Sequence, residues 1–161
     1  MRELKRAAAY GLLLCIAANA FAGETIQYTE TVYIQLTRTG DEVNLSNGRK
    51  VRRDDQSLGI VVNDKTGEVA SEWCSGVTFV DPGPNSIASA SSCTALYENG
   101  DAMLIWLEWV TDNKGAEHCQ WKIMGGTGRF SGATGNATTE VTKTLADGSF
   151  IGKASVIITM R

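Results

Sequence analysis

Apolar and polar residues alternate with a period of two along most of the chain. Between residues 24 and 37 the even-numbered positions are mostly apolar and the odd-numbered positions mostly polar, which is typical of a strand with one buried face. The next alternating stretch, residues 57–63, places Leu58, Ile60 and Val62 on its apolar side. Further strand candidates cover residues 69–80, 87–97, 102–110, 116–124, 137–145 and 149–160. After residue 22 no helical apolar period of useful length occurs, so the pattern predicts about eight strands.

Short turn signals separate these stretches. Asp64 to Gly67, Asn99-Gly100 and Asp147-Gly148 carry the residues that tight turns require, and Asn-Gly favours a two-residue hairpin loop. Consecutive hairpins need no long crossover, which favours an up-and-down barrel over a Greek-key sandwich. Closure also removes the exposed edges of a sheet of this size. We therefore predict an all-β fold, an eight-stranded antiparallel up-and-down β-barrel.

Two cysteines fall at opposite positions of one predicted hairpin. Residues 81–86 contain both prolines of the chain, so the strands must end on either side of this loop. A hairpin centred there pairs Val80 with Ile87, and the same register pairs Cys74 with Cys93. Directly opposed residues of an antiparallel pair lie within disulfide reach. We predict a disulfide between Cys74 and Cys93, with Cys119 free.

The N-terminal residues have the pattern of a secretory signal. Basic residues occur at positions 2, 5 and 6, an apolar run follows, and Ala20-Phe21-Ala22 resembles a cleavage site. We predict a signal peptide over residues 1–22, one domain over residues 23–161, and a secreted or periplasmic location. An uncleaved anchor is disfavoured because the apolar run is too short, so we expect no membrane insertion after cleavage.

The net charge and the small number of cysteine and histidine residues argue against several classes of function. Cleavage would remove three basic residues and one acidic residue, which changes the formal net charge from −3 to −5. Such a chain is a poor candidate for binding nucleic acid or an anionic membrane. The chain has no Cys-x-x-Cys motif and a single histidine, His118, so we expect no metal site and no cofactor. The basic run at residues 49–53 is interpreted as part of a solvated loop.

Several residues are candidates for ligand contacts. Glu30 interrupts the apolar face of the first strand, either as a pocket carboxylate or as a residue that reaches solvent at a bulge. Trp73, Trp106 and Trp121 could line an apolar pocket, with core filling as the alternative for each. A two-residue loop at Asn99-Gly100 would place Trp106 opposite Cys93 and turn Trp109 to the other face. Across the loop at Asp112, Trp121 would then lie opposite Trp106, and a shift of one residue around that loop would reverse this assignment.

The glycine-rich segment between residues 121 and 135 carries a family resemblance. It reads Trp-Lys-Ile-Met-Gly-Gly-Thr-Gly-Arg-Phe-Ser-Gly-Ala-Thr-Gly, and no helix follows it, so it does not fit a nucleotide-binding loop. It resembles the signature of the allene oxide cyclase-like barrels, which include plant dirigent proteins and small secreted bacterial proteins. Cys74-Ser75-Gly76 and the Asn-Gly-Asp turn before a tryptophan-rich strand also resemble the bacterial group, so the likeness covers roughly residues 70–160.

This resemblance implies a calycin-type barrel of eight antiparallel strands. In the plant members the barrel cavity binds a hydrophobic substrate and directs its cyclisation, or orients phenoxy radicals. Their catalytic positions do not match this chain residue by residue, so no catalytic role is transferred. Arg129 and Phe130 match the signature, where Phe130 could plug the barrel or contact a ligand and Arg129 could pair locally.

The sequence therefore leads to three functional hypotheses. The first is a barrel that binds a small hydrophobic or aromatic ligand in its lumen through Glu30, Trp73, Trp106, Trp121 and Phe130. The second is a cyclase or isomerase with Glu30 or Glu108 as a pocket acid. The third is a non-catalytic protein that forms a homodimer through residues 103–109, because that strand is apolar on both faces. A Cys-His pair is not expected, since His118 and Cys119 point to opposite faces of one strand.

Overall fold

The computed structural model describes residues 23–37, 40–46, 48–80, 85–114 and 117–161, so the predicted signal peptide and the proline-containing loop lie outside the described residues. The described part of the chain forms nine strands and one short 3₁₀ turn. They are β1 (Thr25–Thr37), β2 (Glu42–Asn44), β3 (Lys50–Asn63), β4 (Val69–Val80), β5 (Ser86–Tyr97), β6 (Ala102–Thr111), β7 (Glu117–Gly126), the 3₁₀ turn (Gly128–Phe130), β8 (Thr134–Thr144) and β9 (Phe150–Thr159).

Eight of these strands close into an antiparallel barrel. From β3 to β9 each strand pairs with the next strand along the chain, and β1 pairs with both β9 and β3. The short strand β2 pairs with the first residues of β3 and lies outside the closed ring. The predicted all-β, up-and-down architecture is thus confirmed. None of the helical segments among the described residues is both long and apolar enough to cross a lipid bilayer.

Large side chains fill one half of the barrel interior. At the end where β6 meets β7 and β8 meets β9, the rings of Trp109 and Phe150 pack edge to face with their centroids 5.5 Å apart. Leu107 and Trp121 pair across β6 and β7 and are both buried. These contacts fill the interior at this end of the barrel, which is opposite the end where β1 begins and β9 ends.

The predicted disulfide is present between β4 and β5. Cys74 lies directly opposite Cys93 with their Cα atoms 4.0 Å apart, and the two sulfur atoms are bonded. Both side chains are buried in the lumen, and Cys119 is a buried free thiol. The inward direction of Cys74 fixes which face of β4 is buried, because neighbouring residues of a strand point to opposite sides.

The loop between β5 and β6 is one residue longer than predicted. The Tyr97 amide donates to the Asp101 carbonyl at 2.9 Å, which leaves Glu98, Asn99 and Gly100 in the loop, and of these only Gly100 has a positive φ, 84°. A three-residue loop of this kind ends in a glycine in the left-handed region. It shifts the strand register by one, so Ile105 rather than Trp106 lies opposite Cys93.

Two tryptophans predicted to line the lumen consequently lie on the outer face of the barrel. Trp106 is 41% exposed because of the register shift, and Trp73 is 55% exposed because it neighbours the inward-facing Cys74. Leu58 and Ile60 also face outward, while Gly59 and Val61 face the lumen. The apolar side of this part of β3 is therefore an outer surface rather than a core face.

Candidate functional site

A cavity of about 290 Å³ opens at the end of the barrel where β1 begins. Its walls come from β1, the β3–β4 and β5–β6 hairpins, the 3₁₀ turn and the end of β9. Its lining includes Tyr28, Glu30, Tyr97, Arg129, Phe130 and Ile158, together with the polar residues Gln27, Asn63, Lys65, Thr66 and Glu68. Ligand pockets start at about 300 Å³, and an apolar cavity of about 150 Å³ already holds benzene. The space therefore suits a molecule of one or two rings.

Glu30 supplies a buried carboxyl group to this cavity. The alternation of β1 points Tyr28 and Glu30 to the same, inner side, and Glu30 is only 2% exposed. A hydrogen-bonding interaction with the Tyr28 side chain lowers the pKa of the Glu30 carboxyl, and Tyr28 also interacts with Tyr97. The Oε2 atom of Glu30 has no hydrogen-bond partner among the described residues. A buried carboxyl oxygen without a partner is costly, and a ligand with a polar group could satisfy it.

The environment of Glu30 favours its protonated form. The pKa of Glu30 is raised to about 7. Burial is the largest cause and the nearby Glu72 carboxylate is the second, whereas the hydrogen-bonding interaction with Tyr28 lowers the pKa. Near neutral pH both protonation states of Glu30 are therefore populated. The group can donate a hydrogen bond in one state and accept two in the other.

Glu72 is a second buried carboxyl group, which the sequence analysis missed. It lies on β4 between Gly59 of β3 and Ala95 of β5, its Oε2 atom has no partner among the described residues, and burial raises its pKa to about 7. Its Oε1 atom is 3.2 Å from the Cys74 sulfur. Because that sulfur belongs to a disulfide and carries no proton, only protonated Glu72 can donate in this contact.

Glu72 does not form a metal centre with its neighbours. Its carboxylate clusters with the sulfur atoms of Cys74 and Cys93. Metal ions bind cysteine as the thiolate, and both sulfurs are consumed by the disulfide. The signal for Glu72 was present in the sequence, since it has the same strand parity as the inward-facing Cys74. We interpret Glu72 as an electrostatic neighbour of Glu30 that does not itself line the cavity.

The two cavity tyrosines act as hydrogen-bond donors. Burial, and then the Glu30 carboxylate, raise the pKa of both Tyr28 and Tyr97 well above the usual value, while Arg129 lowers it. Both phenols remain protonated at physiological pH. Together with Glu30 they form a polar strip on one wall of a cavity whose other walls include Phe130 and Ile158.

Arg129 spans the rim of the cavity. Its Nη2 atom donates to Glu68 Oε1 at 2.7 Å, and its guanidinium carbon lies 4.6 Å from the centre of the Tyr97 ring and 4.7 Å from that of Phe130. The rings of Tyr97 and Phe130 are themselves 5.0 Å apart. The signature segment thus places the buried Phe130 in the cavity wall and the Arg129 guanidinium above its ring. Glu68 links this guanidinium to the β3–β4 hairpin.

The remaining predicted site residues lie elsewhere. Trp121 is buried among the core side chains and donates from Nε1 to the Cys119 sulfur at 3.1 Å, but it does not line the cavity. Trp73 and Trp106 are outside the barrel, as described above. Glu108 accepts a hydrogen bond from Trp106 Nε1 at 2.8 Å on the same outer surface, so it is not a pocket acid.

Cys119 and His118 do not form a catalytic pair. Burial raises the pKa of Cys119 to about 12, whereas His118 is exposed and lies 3.4 Å from Asp112. A buried thiol that stays protonated is a poor nucleophile. Among the predicted residues, Glu30 and Phe130 are therefore the two that the fold brings together at the cavity.

Comparisons with known proteins support the fold. No protein-family model and no curated protein matches the sequence. Solved structures that match in shape include two with a TM-score of 0.54 each. The pterocarpan synthase dirigent protein PsPTS1 is 12% identical over 85% of this chain and 96% of its own, and the pterocarpan synthase dirigent protein GePTS1 is 13% identical over 86% and 89%. At this identity the likeness shows the fold alone, and it confirms the predicted dirigent-like barrel.

Proposed function

We propose that this protein binds a small hydrophobic or aromatic molecule in the open half of its barrel. The observation that carries the proposal is the Glu30 carboxyl group, which lines an otherwise largely apolar cavity of about 290 Å³ and whose Oε2 atom has no partner among the described residues. An unsatisfied buried polar atom costs about 1–3 kcal/mol, and a ligand hydroxyl or N–H would recover part of this cost. The favoured ligand is therefore an aromatic ring that bears at least one hydrogen-bonding group, as a phenol does.

The shape of the cavity agrees with such a ligand. Phe130 and Ile158 offer apolar walls, and Tyr28 and Tyr97 offer hydroxyl groups beside Glu30. Rings pack well against aromatic side chains, while the few polar groups fix the orientation of the bound molecule. The structural likeness to two proteins named as pterocarpan synthase dirigent proteins is further support for a lumen that receives small molecules.

Matched probes test the binding proposal. Titration calorimetry with 4-propylphenol and 4-propylanisole should show tighter binding of the phenol, because methylation removes the proton that the phenol donates to Glu30. Glu30→Leu should abolish this preference, whereas Glu140→Leu, at an exposed position of β8, should leave it intact. Absence of binding by both probes, or an unchanged preference in Glu30→Leu, would contradict the proposal.

The raised pKa of Glu30 favours a second candidate function, a cyclase or isomerase. A general acid or base works best when its pKa lies near the working pH, and that of Glu30 is about 7. In this role Glu30 would move a proton to or from a ligand atom, with Tyr28 hydrogen-bonded to its carboxyl group. Proton exchange at the carbon next to the carbonyl of 4-phenyl-2-butanone, followed by NMR in D₂O, tests this chemistry. Exchange should slow to the background rate in Glu30→Gln, and equal rates would reject the enzyme.

We further propose that residues 1–22 are a signal peptide and that residues 23–161 act as one domain outside the cytoplasm, in the periplasm or as a secreted protein. The disulfide between Cys74 and Cys93 supports this location because such bonds persist in oxidising compartments. The proposed function requires no cofactor and no nucleic acid. Mass spectrometry of the exported protein tests the cleavage, and an N-terminus near Gly23 is expected.

A further inference from the structure

Large apolar side chains are concentrated on one part of the outside of the barrel. Six of them stand on β3 to β6 and keep between 41% and 55% of their surface exposed. We call this surface the apolar outer face, and it consists of Leu58, Ile60, Trp73, Leu96, Leu104 and Trp106. None of these residues lines the cavity, so ligand binding does not account for them.

The strand register makes these six side chains neighbours. Leu58 lies directly opposite Trp73, and Thr94 separates Trp73 from Leu104 in the same row. In the row above, Ser71 separates Ile60 from Leu96. Opposed side chains on one face of an antiparallel pair are roughly 5 Å apart. The residues between the large side chains are thus small and uncharged, and the apolar surface is continuous.

The area of this face is large for a single chain. Multiplying each exposed fraction by a full side-chain area of roughly 150–250 Å² gives an exposed apolar area on the order of 600 Å² for the six residues. This area is at the upper end of the range for the largest apolar patch on a monomeric protein. The intervening Ser71, Ser92 and Thr94 bring the surface close to the ~800 Å² per partner that a stable interface uses. Tryptophan is also the residue type most enriched at interface hot spots.

A bulge in β7 extends the same surface. Leu104 pairs with Gly125 and Ile105 with Ile123, so Met124 is the extra residue of the bulge and stands 58% exposed beside Leu104. A bulge re-aims a side chain at the cost of local pairing. Here it turns a flexible apolar side chain outward at the border of the face.

Charge favours another copy of the same chain as the occupant. The protein has a formal net charge of −3, so two copies repel unless their contact surfaces avoid acidic groups. The residues inside the apolar outer face carry no charge, and Glu108 and Lys122 flank Trp106 at its border. An anionic membrane carries negative charge over its whole contact surface, whereas a second copy can present this uncharged face.

We propose that the apolar outer face binds a second copy of this chain, with Trp73 and Trp106 as the anchoring side chains. The six residues stand on β3 to β6, each of which is paired with a strand on both sides, so the contact is made by side chains. The contact extends over four strands, wider than the single strand at residues 103–109 that the sequence suggested. It leaves the cavity mouth accessible, because the cavity is lined by other residues and opens at the end of the barrel.

Sedimentation equilibrium of the purified protein at increasing micromolar concentrations tests this proposal. Wild type should approach twice the mass of one chain. Trp73→Ser and Trp106→Ser should each weaken association on the order of thirtyfold, the effect of losing a hot-spot side chain. Ile157→Ser is the matched control, because Ile157 is an exposed apolar residue on β9 outside the face and its loss should change nothing.

Circular dichroism and the urea midpoint should confirm that each variant is folded, which is expected because the replaced side chains are exposed. A wild-type mass of one chain at every concentration would overturn the proposal. Undiminished association of Trp73→Ser and Trp106→Ser would overturn it as well, since the contact would then lie elsewhere. Outcomes for the ligand probes are independent of this test.

Discussion

Replacing Glu30 with Gln should make the stability of the protein less sensitive to pH. Gln has nearly the shape of a protonated carboxyl group but cannot ionise, so Glu30→Gln mimics the state that burial favours. The pKa of Glu30 is raised in the folded protein to about 7 from an ordinary value of 4.5. A raised pKa means that the folded state holds the proton more tightly, so the associated stability is fully present below pH 4.5 and is lost as the pH rises through 7.

The size of the effect follows from these values. Each pKa unit corresponds to about 1.4 kcal/mol, so ionising Glu30 in the folded protein should cost roughly 3 kcal/mol of unfolding free energy. Glu30→Gln should therefore equal wild type at acidic pH and exceed it by roughly that amount at pH 8. Part of the shift comes from Glu72, so in the variant Glu72 should also ionise more easily and the gain should not be strictly additive.

Urea unfolding followed by tryptophan fluorescence at several pH values between 5 and 8 measures this difference, with the disulfide kept intact. Glu140→Gln, which changes an exposed carboxylate on β8, is the control and should run parallel to wild type at every pH. If Glu30→Gln also ran parallel to wild type, Glu30 would ionise as freely as a surface group. Glu30 would then not be a buried acid in the cavity wall.

Three further outcomes are expected. Reducing the Cys74–Cys93 bond, which joins residues 19 apart in sequence, should lower the unfolding free energy by about 3 kcal/mol in urea titrations, and an unchanged midpoint would argue against the bond. Gly128→Ala should destabilise by more than about 1 kcal/mol in the same assay, because φ is 54° and a Cβ would overlap a carboxylate, whereas Gly67→Ala meets open space and should cost less. Cys119 should react with a thiol reagent only after denaturation, since it is buried and burial raises its pKa to about 12, and rapid reaction of the native protein would contradict its placement.

Most of the correct predictions about the fold and the cavity rest on strand parity, the alternation of side chains between the two faces of a strand. The alternation of Glu30 with apolar neighbours placed it on the inner face of β1, and the proline loop fixed the register that joins Cys74 to Cys93. Both inferences need only the two-residue repeat of a strand and the position of one turn. The closed up-and-down barrel followed from the same pattern because successive hairpins leave no other short connection.

Strand parity does not predict the length of a hairpin loop, nor which face of a barrel strand points to the lumen. Asn99-Gly100 fits a two-residue loop by composition, but the chain uses three residues there, and that single residue moves Trp106 from the inside to the outside. Leu58 and Ile60 are apolar and yet exposed, because hydrophobicity alone does not tell a core from an outer surface that another molecule could cover. Glu72 has the same strand parity as Cys74, so its inward direction follows only once Cys74 is known to face the lumen.

The pairing of β1 with β9 brings the two ends of the barrel chain together at the mouth of the cavity. Thr25 lies opposite Thr159, and Ile26 and Met160 both line the cavity. A fluorophore or affinity tag fused to either end would therefore sit at the entrance and could obstruct it. Joining the ends through a short linker and reopening the chain at Asp147-Gly148, in the exposed turn before β9, should give a circularly permuted barrel with its new ends away from the cavity. Such a permutant would be the better scaffold for labelling or immobilising the protein.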